Sequence, residues 1–437
     1  MRTLLTVALL TLPLHAATFE SMILDNGLEV VVSPSSTSPV VTICVAVRTG
    51  ATCEVPQTNG LAHFYEHMFF KGNAALPDQT AYNDRMRELG IVRNGITSDE
   101  MVRYYVTLGS ARFEEGMRFM YDAIATPLFD PAEMERERQV IMNEYERNTT
   151  DAWWPYWLAQ EQVLAPDAPW RASTIGVPEV ILSASPEVMR EFRDTYYTPD
   201  NAVLVIAGDV DSGEAFRLAE EVFSPWEYGG RSNFDDLPVV LSVERDTTVY
   251  VDSPSGIGYV SVVYAGPPFR ECPGDSYPAD VWGTYLGLMS REFYTDLVTD
   301  GPFTGIGASY FTQRYFPVIT LGGIVPPDRT DEALAALRAE IDDMLSAGYY
   351  DTEGVELAKD RLRRHRLYSE EASSDLAIDS VPFWWVQGGG LEYYETYLDS
   401  LAAVGTDDIV RFLDTWVAGK PSAAFVMRPG GGREVER

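Results

Sequence analysis

Two histidines four residues apart, His63 and His67, and the glutamate Glu66 between them are the residues of this sequence best suited to chemistry. On a helix, side chains three and four positions apart lie on one face, about one turn from each other. Two imidazoles placed in this way can hold one metal ion, and a carboxylate beside them can take a proton from a water molecule. The order His-x-x-Glu-His inverts the commoner His-Glu-x-x-His zinc motif.

A polar helix face exposed to water is the alternative interpretation of this pattern. The composition argues against it, because the chain has 4 histidines in all and two of them stand in this one turn. Apolar residues surround the motif and predict that the helix is buried: Leu61, Ala62, Phe64, Met68, Phe69 and Phe70. A buried imidazole without a partner is costly, so the pattern favours a metal-binding pair.

Two histidine ligands leave a catalytic zinc ion in need of one more protein ligand. Beyond the N-terminal segment the remaining histidine is His365, which lies in a basic run, so a carboxylate is the expected donor. Asp130 and Pro131 are typical of a helix start, and the helix that they begin carries Glu137 and Glu144, two turns apart on one face. Periodicity alone leaves open that both glutamates are surface residues.

Composition predicts a globular protein that does not bind nucleic acid. The chain has 437 residues, 46% of them hydrophobic, which is enough for two or more domains with cores of their own. The formal net charge is −33, whereas phosphate contacts need a basic surface. The acidity is best explained by a solvated surface; the alternative is an acidic cavity that attracts basic peptides.

The first residues predict export. Residues 1–17 combine Arg2, an apolar run from Leu4 to Leu14 and small residues at the end, which is the pattern of a secretory signal cleaved after about residue 16 or 17. A membrane anchor is the alternative, but the apolar run is too short to span a bilayer comfortably. No later segment is long and apolar enough to span, so we expect a periplasmic or secreted protein without a stable membrane span.

Three cysteines, Cys44, Cys53 and Cys272, cannot all pair within one chain, and their spacing is not that of a metal site. A bridge between Cys44 and Cys53 would be compatible with an oxidising compartment but is not required.

The order of predicted elements repeats along the chain. After the signal, residues 18–225 start with paired strands, continue with the motif helix, and end with a capped helix and a buried strand from Asn201 to Asp209. Residues 226–242 are rich in Pro, Gly, Ser and Asp and predict a linker. Residues 243–437 repeat strands, helix, long helices and a final strand, but the helix that matches the motif helix lacks the histidines. We expect two α+β domains of like fold, the second without metal.

The chain resembles the pitrilysin/insulinase family of inverted-motif (inverzincin) zinc metallopeptidases, in particular mitochondrial-processing-peptidase-like bacterial members. The resemblance covers nearly all of residues 20–437 and is stronger in the first half. The segments that carry it are Gly60 to Gly72, Asn94 to Ser98, Glu135 to Glu144, Ile175-Gly176 and Tyr197 to Asn201. It implies two homologous domains, each a mostly antiparallel sheet packed with helices, that form half of a clam-like peptidase chamber.

The resemblance also implies roles for single residues. It implies one Zn²⁺ per chain and a substrate peptide that adds as an extra strand beside the metal. The matched positions are His63, His67 and Glu144 as zinc ligands, Glu66 as general base, Glu137 as the residue that orients a ligand histidine, and Asn94, Gly95 and Thr97 as substrate contacts. Read without the resemblance, the segment Arg93 to Ser98, with Asn94-Gly95 in it, indicates a turn before a strand from Met101 to Leu108.

One segment departs from the family pattern. Members active as single chains carry an Arg and a Tyr, seven residues apart, that steady the substrate carbonyl from the second domain. In the segment Ser290 to Gly307, Leu297 and Thr304 stand at those positions. Missing donors of this kind typically cost about 10²–10³ in rate, so we expect a related two-domain subunit to supply them in a heterodimer.

The sequence therefore predicts a zinc metalloendopeptidase that hydrolyses peptides or unfolded protein segments, as the metal-bearing subunit of a pair. The alternative is a non-catalytic structural subunit of the same fold. Relatives of that kind usually lose the metal set, whereas this chain keeps it complete.

Overall fold

A computed structural model describes residues 18–168, 174–227, 234–239, 241–346 and 348–430. The predicted signal at residues 1–17 lies outside the described residues, as do residues 228–233 and 240 of the predicted linker. In the described part of that linker, Phe234 is buried and its carbonyl accepts a hydrogen bond from the Tyr315 hydroxyl, so this stretch packs onto both halves of the chain.

The first half of the chain forms a six-stranded sheet with helices. Its strands are β1 (Glu20–Ile23), β2 (Glu29–Pro34), β3 (Val40–Val47), β4 (Val92–Thr97), β5 (Val102–Gly109) and β6 (Ala202–Gly208). Its helices are α1 (Leu61–Phe69), α2 (Gln79–Leu89), α3 (Phe113–Ala125), α4 (Pro131–Thr149), α5 (Trp154–Leu164), α6 (Pro178–Ser183), α7 (Pro186–Tyr196) and α8 (Ser212–Phe223).

The strand order in this sheet is β1-β2-β6-β3-β5-β4. β3 and β6 read as nearly continuous apolar runs because they occupy the middle and are buried on both faces. All neighbouring strands pair antiparallel except β2 and β6, which are parallel. β4 is the last strand at one edge within the described part of the chain, and Gly95 is its one buried residue.

The second half forms a five-stranded sheet. Its strands are β7 (Thr247–Ser253), β8 (Gly258–Ala265), β9 (Gly305–Phe311), β10 (Val318–Val325) and β11 (Ala423–Pro429). Its helices are α9 (Ser276–Leu286), α10 (Glu292–Tyr294), α11 (Thr330–Met344), α12 (Thr352–Ser369), α13 (Ser373–Asp375), α14 (Val381–Gly388), α15 (Glu392–Ala402) and α16 (Thr406–Trp416). α10 and α13 each continue into a five-residue π-helical turn.

The two sheets have the same topology. The order β7-β11-β8-β10-β9 repeats β2-β6-β3-β5-β4, with β7 and β11 as its one parallel pair. α1 follows β3 and α9 follows β8, so the motif helix and its counterpart occupy the same place in each half. The predicted fold class, two α+β domains of like fold, is confirmed.

The halves are joined by an exchange of helices. α5 of the first half packs on the second sheet, where the Tyr156 hydroxyl lies 2.9 Å from Ser261 Oγ. α14 of the second half packs on the first sheet, where the Trp385 ring lies 3.7 Å from the Arg48 guanidinium. Each half therefore completes the core of the other.

Two remaining expectations concern cysteines and membranes. All three cysteines lie in the described part of the chain and are free thiols, so Cys44 and Cys53 are not bridged. No helix among the described residues is both long and apolar enough to cross a membrane.

Candidate metal centre

The motif helix α1 is held at its N-terminus by a buried carboxylate. Glu54 accepts hydrogen bonds from the backbone N–H groups of Gly60 (2.7 Å) and Ala62 (2.8 Å) and from the Asn59 side chain (3.0 Å). These are donors that a helix start leaves without an intrahelical partner. Gly60 itself has φ 103° and packs against Gly176, where a Cβ would lie 2.8 Å from the Gly176 Cα. The entry to the helix is therefore fixed by close backbone contact and by one acidic residue.

Aromatic stacking fixes the buried face of α1. The Tyr65 ring stacks on Tyr197 at 3.7 Å between centroids, and the Phe69 ring stacks on Tyr104 at 4.0 Å. Because these rings point into the core, His63 and His67 are turned to the opposite side, where their side chains are 17% and 13% exposed.

All three predicted ligands meet on this side. One ligand atom each from His63, His67 and Glu144 lies within 4.8 Å of the others. Glu144 Oε2 is 3.7 Å from His63 Nε2 and 3.4 Å from His67 Nε2. Glu144 comes from α4, whose start is as predicted: the Asp130 side chain accepts from the first turn and Pro131 is the first helical residue.

Glu137 lies behind this cluster and holds His67. Its Oε2 is 3.0 Å from His67 Nδ1, and its Oε1 is 2.6 Å from the Lys71 ammonium. With Nδ1 donating to the carboxylate, Nε2 keeps its lone pair for a metal. Burial opposes ionisation of Glu137, but the hydrogen bonds from His67 and Lys71 outweigh it and lower its pKa.

His63 is held in the neutral form. Burial, and then the nearby His67, lower the pKa of His63 to about 3. A neutral imidazole is the form that binds metal ions. The rings of His63 and His67 meet edge to face with centroids 4.7 Å apart, so both present a nitrogen to the same space.

The Glu66 side chain extends from α1 to the edge strand β4. The Thr97 hydroxyl donates to Glu66 Oε2 at 2.6 Å, and the carboxylate passes directly over Gly95. Burial, only partly offset by the Thr97 hydrogen bond, raises the pKa of Glu66. Gly95 and Thr97 of β4 therefore contact the motif, whereas Asn94 is exposed on the same strand and points to the opposite face.

Sequence reasoning missed two residues of this site, Lys71 and Glu54, and one contact, between Thr97 and Glu66. Lys71 stands four residues after His67, and that spacing could have indicated its pairing with Glu137. Nothing in the sequence pattern indicates that Glu54 caps the motif helix, because the turn between them is irregular. The bond from Thr97 to Glu66 joins residues 31 positions apart and required the folded sheet.

The corresponding place in the second half lacks the donor set. There α9 lies beside the edge strand β9, around a cavity of about 300 Å³ lined in part by Asp280, Gly283 and Thr284. Leu297 is buried in the core of this half, and Thr304 is exposed with its hydroxyl donating to the Ile324 carbonyl. Leu297 has no hydrogen-bond donor in its side chain, and the hydroxyl of Thr304 donates within this half of the chain.

Two family descriptions match the chain. Residues 30–165 match the model described as insulinase (peptidase family M16), and residues 183–362 match the model described as the peptidase M16 inactive domain. The first range contains every predicted metal-site residue, and the second contains α9 and most of the second sheet.

The chain is also similar to individual known proteins. The zinc protease PqqE of Helicobacter pylori is 26% identical over 436 residues, which are 96% of this chain and 94% of that protein. The mitochondrial-processing peptidase subunit beta of Blastocladiella emersonii is 29% identical over 239 residues, and the match spans about half of each chain, 51% of both.

A solved structure has the same fold over nearly the whole chain. The crystal structure of the periplasmic protease PqqL from Escherichia coli superposes with a TM-score of 0.78 at 19% sequence identity. The match covers 95% of this chain and 48% of that one, so this chain corresponds in extent to about half of PqqL.

Proposed function

The chain belongs to the insulinase (M16) peptidase family, and we propose that it is a zinc-dependent endopeptidase that hydrolyses peptides or unfolded protein segments. The observation that carries the proposal is the convergence of His63, His67 and Glu144 within 4.8 Å. Two imidazoles and one carboxylate fit a catalytic zinc site, which takes three protein ligands and leaves a position open.

The residues around the metal position have separate tasks. Zinc, when bound, polarises a carbonyl group and lowers the pKa of water to about 7. His63, His67 and Glu144 would hold it, with Glu137 fixing the ring of His67. Glu66 would act as general base, with the Thr97 hydroxyl bonded to its Oε2: its carboxylate would take the proton of the attacking water and pass it to the leaving amine.

The edge strand β4 is suited to hold the peptide. Its outer edge faces no other strand in the described part of the chain, so an extended peptide can pair with its backbone. Gly95 and Thr97 lie along this strand against Glu66, and Asn94 is the exposed residue next to them. A peptide bound there would be held straight, with its backbone next to the metal position.

A partner subunit completes the proposed enzyme. Leu297 and Thr304 leave the second domain without the Arg and Tyr that the family uses on the substrate carbonyl. The chain corresponds to about half of the PqqL structure, and one of its relatives is named as a subunit. We therefore propose a related two-domain chain that closes the chamber and supplies the two side chains. With the signal pattern at residues 1–17, the proposed location is the periplasm or the exterior.

A zinc assay with a base substitution tests the function. The full chain, alone and with a candidate partner, should contain about one zinc ion per chain and cleave unstructured peptides, and a chelator should abolish the cleavage. Glu66→Gln should keep zinc but lower kcat by about 10²–10⁴, because it removes the general base. Cleavage that persists without metal, or at the parent rate in Glu66→Gln, contradicts the proposal.

The competing function is a structural subunit without catalysis. It is favoured by Leu297 and Thr304, which stand where the family's Arg and Tyr would contact the substrate carbonyl. A chain that binds no zinc at micromolar concentration, and that gains no peptidase activity with any related two-domain chain, would support this second function.

A further inference from the structure

Thr97 makes the hydrogen bond that orients Glu66. It belongs to β4, whereas Glu66 belongs to α1, so the bond joins the edge strand to the motif helix. The Thr97 hydroxyl donates to Oε2 at 2.6 Å, within the range for hydroxyl donors to a carboxylate. The Thr97 backbone is a second hydrogen-bond partner of the same carboxylate.

Gly95 gives the Glu66 side chain its path to Thr97. A Cβ built on Gly95 would lie 2.6 Å from Glu66 Cγ and 2.9 Å from Oε1, closer than real Cβ atoms approach other heavy atoms. The Glu66 side chain therefore lies flat against the β4 backbone. Its carboxylate packs against Gly95 on one side, and one of its oxygens is hydrogen-bonded to Thr97.

We propose that Thr97 is a positioning residue for the reaction, and that its side chain acts on Glu66 rather than on the substrate. This proposal rests on the proposed peptidase function and deepens it. A glutamate side chain has three rotatable bonds, and a general base works only in the orientation that reaches the proton. The Thr97 hydroxyl selects one orientation of the Glu66 carboxylate before the substrate arrives.

The arrangement also connects the base to the strand that would hold the peptide. Glu66 is hydrogen-bonded to β4, and a substrate peptide would pair with the outer edge of the same strand. The short backbone of β4 would therefore fix the distance between the peptide and the base. Pre-organised geometry of this kind raises kcat more than it improves substrate binding.

The test compares two substitutions of Thr97 with a matched control. Thr97→Val removes the hydroxyl and keeps the shape, and Thr97→Ser keeps the hydroxyl. The control is Thr107→Val in β5, which removes a threonine hydroxyl bonded to Thr42 Oγ1 at 2.8 Å, at the other end of the same pair of strands. Thr97→Ala replaces the valine variant if that one does not fold.

In Thr97→Val, kcat on a fluorogenic peptide should fall about 10- to 100-fold, because a hydrogen bond to a charged group is lost. KM and zinc content should stay within twofold of the parent, Thr97→Ser should restore most of kcat, and Thr107→Val should match the parent. A loss that appears in KM instead, or a serine variant as slow as the valine variant, would overturn the proposal.

Crystal structures of the zinc-loaded variants separate this proposal from the proposed function. Glu66 should leave its orientation over Gly95 in Thr97→Val and keep it in Thr97→Ser. If the parent cleaves no peptide, the peptidase function fails, and the structures still decide whether Thr97 orients Glu66. If Glu66 keeps its orientation in the valine variant, Thr97 has no positioning role even in an active enzyme.

Discussion

Glu137 shows how much of the site depends on residues that would not touch the metal. Its carboxylate lies between His67 and Lys71: one oxygen accepts a hydrogen bond from the histidine, and the other pairs with the lysine ammonium. The His67 ring can therefore neither rotate nor change its tautomer without breaking a charge-assisted hydrogen bond.

The first prediction concerns Glu137. Glu137→Gln should weaken zinc binding about 10- to 100-fold, because the amide cannot bind both His67 and Lys71 as the carboxylate does. Zinc affinity measured by competition with a chelating dye checks this. Glu146→Gln, an exposed position on the same helix, is the control and should bind zinc like the parent. Equal affinities in the two variants would contradict the orienting role.

At the scale of elements, α1 depends on a cap that comes from outside the helix. Glu54 is 1% exposed and precedes the helix by an irregular loop, yet it satisfies two of its first N–H groups. The position of His63 in the first turn is thus set by a residue nine positions upstream.

The second prediction concerns this cap. Glu54→Ala should destabilise the protein by about 2–3 kcal/mol, because it leaves buried N–H groups without acceptors. It should also weaken zinc binding, since the turn that carries His63 loosens. Denaturant unfolding and zinc titration measure the two effects. Asp211→Ala removes the exposed cap of α8 and should cost about 1 kcal/mol without changing zinc affinity. A normal zinc affinity in Glu54→Ala would show that the cap does not position the histidine.

At the scale of the whole molecule, the exchanged helix α5 carries a carboxyl group into the joint between the halves. Burial, and then repulsion from the nearby Asp99, raise the pKa of Glu161 to about 8. Asp99 in turn accepts a hydrogen bond from Gln313 of the second half at 3.2 Å. Two carboxyl groups therefore share a site where the two halves meet.

This pair predicts how stability depends on pH. The folded-state pKa of Glu161 lies above its unfolded value, so its contribution is fully present below about pH 4.5 and is lost as the pH rises through about 8. Thermal unfolding should show a falling Tm over this range. Glu161→Gln should flatten the profile and stabilise the protein at pH 8 by on the order of 3 kcal/mol. Glu191→Gln, at an exposed site, should leave the slope unchanged; an unchanged slope in Glu161→Gln would refute the assignment.

Local patterns were sufficient where one segment decides its own structure. The motif helix, the Asp130-Pro131 start of α4, the buried strand β6 and the repeat of element order all follow from spacing and caps. Local patterns failed where pairing with another strand decides the structure of a segment. Asn94-Gly95 indicated a turn, which is wrong: pairing with β5 makes β4 a strand. β9 and β10 were not predicted, because glycines interrupt their apolar runs and only the sheet orders them.

The donor types and their spacing on α1 and α4 were determined by the sequence alone, because residues three, four and seven apart share a helix face in any helix. The tertiary structure decided that these two faces meet, that Glu137 pairs with Lys71, and that Thr97 and Gly95 hold Glu66. Each of these contacts joins residues of different elements. Their geometry depends on how the sheet and helices pack, and no local pattern contains that information.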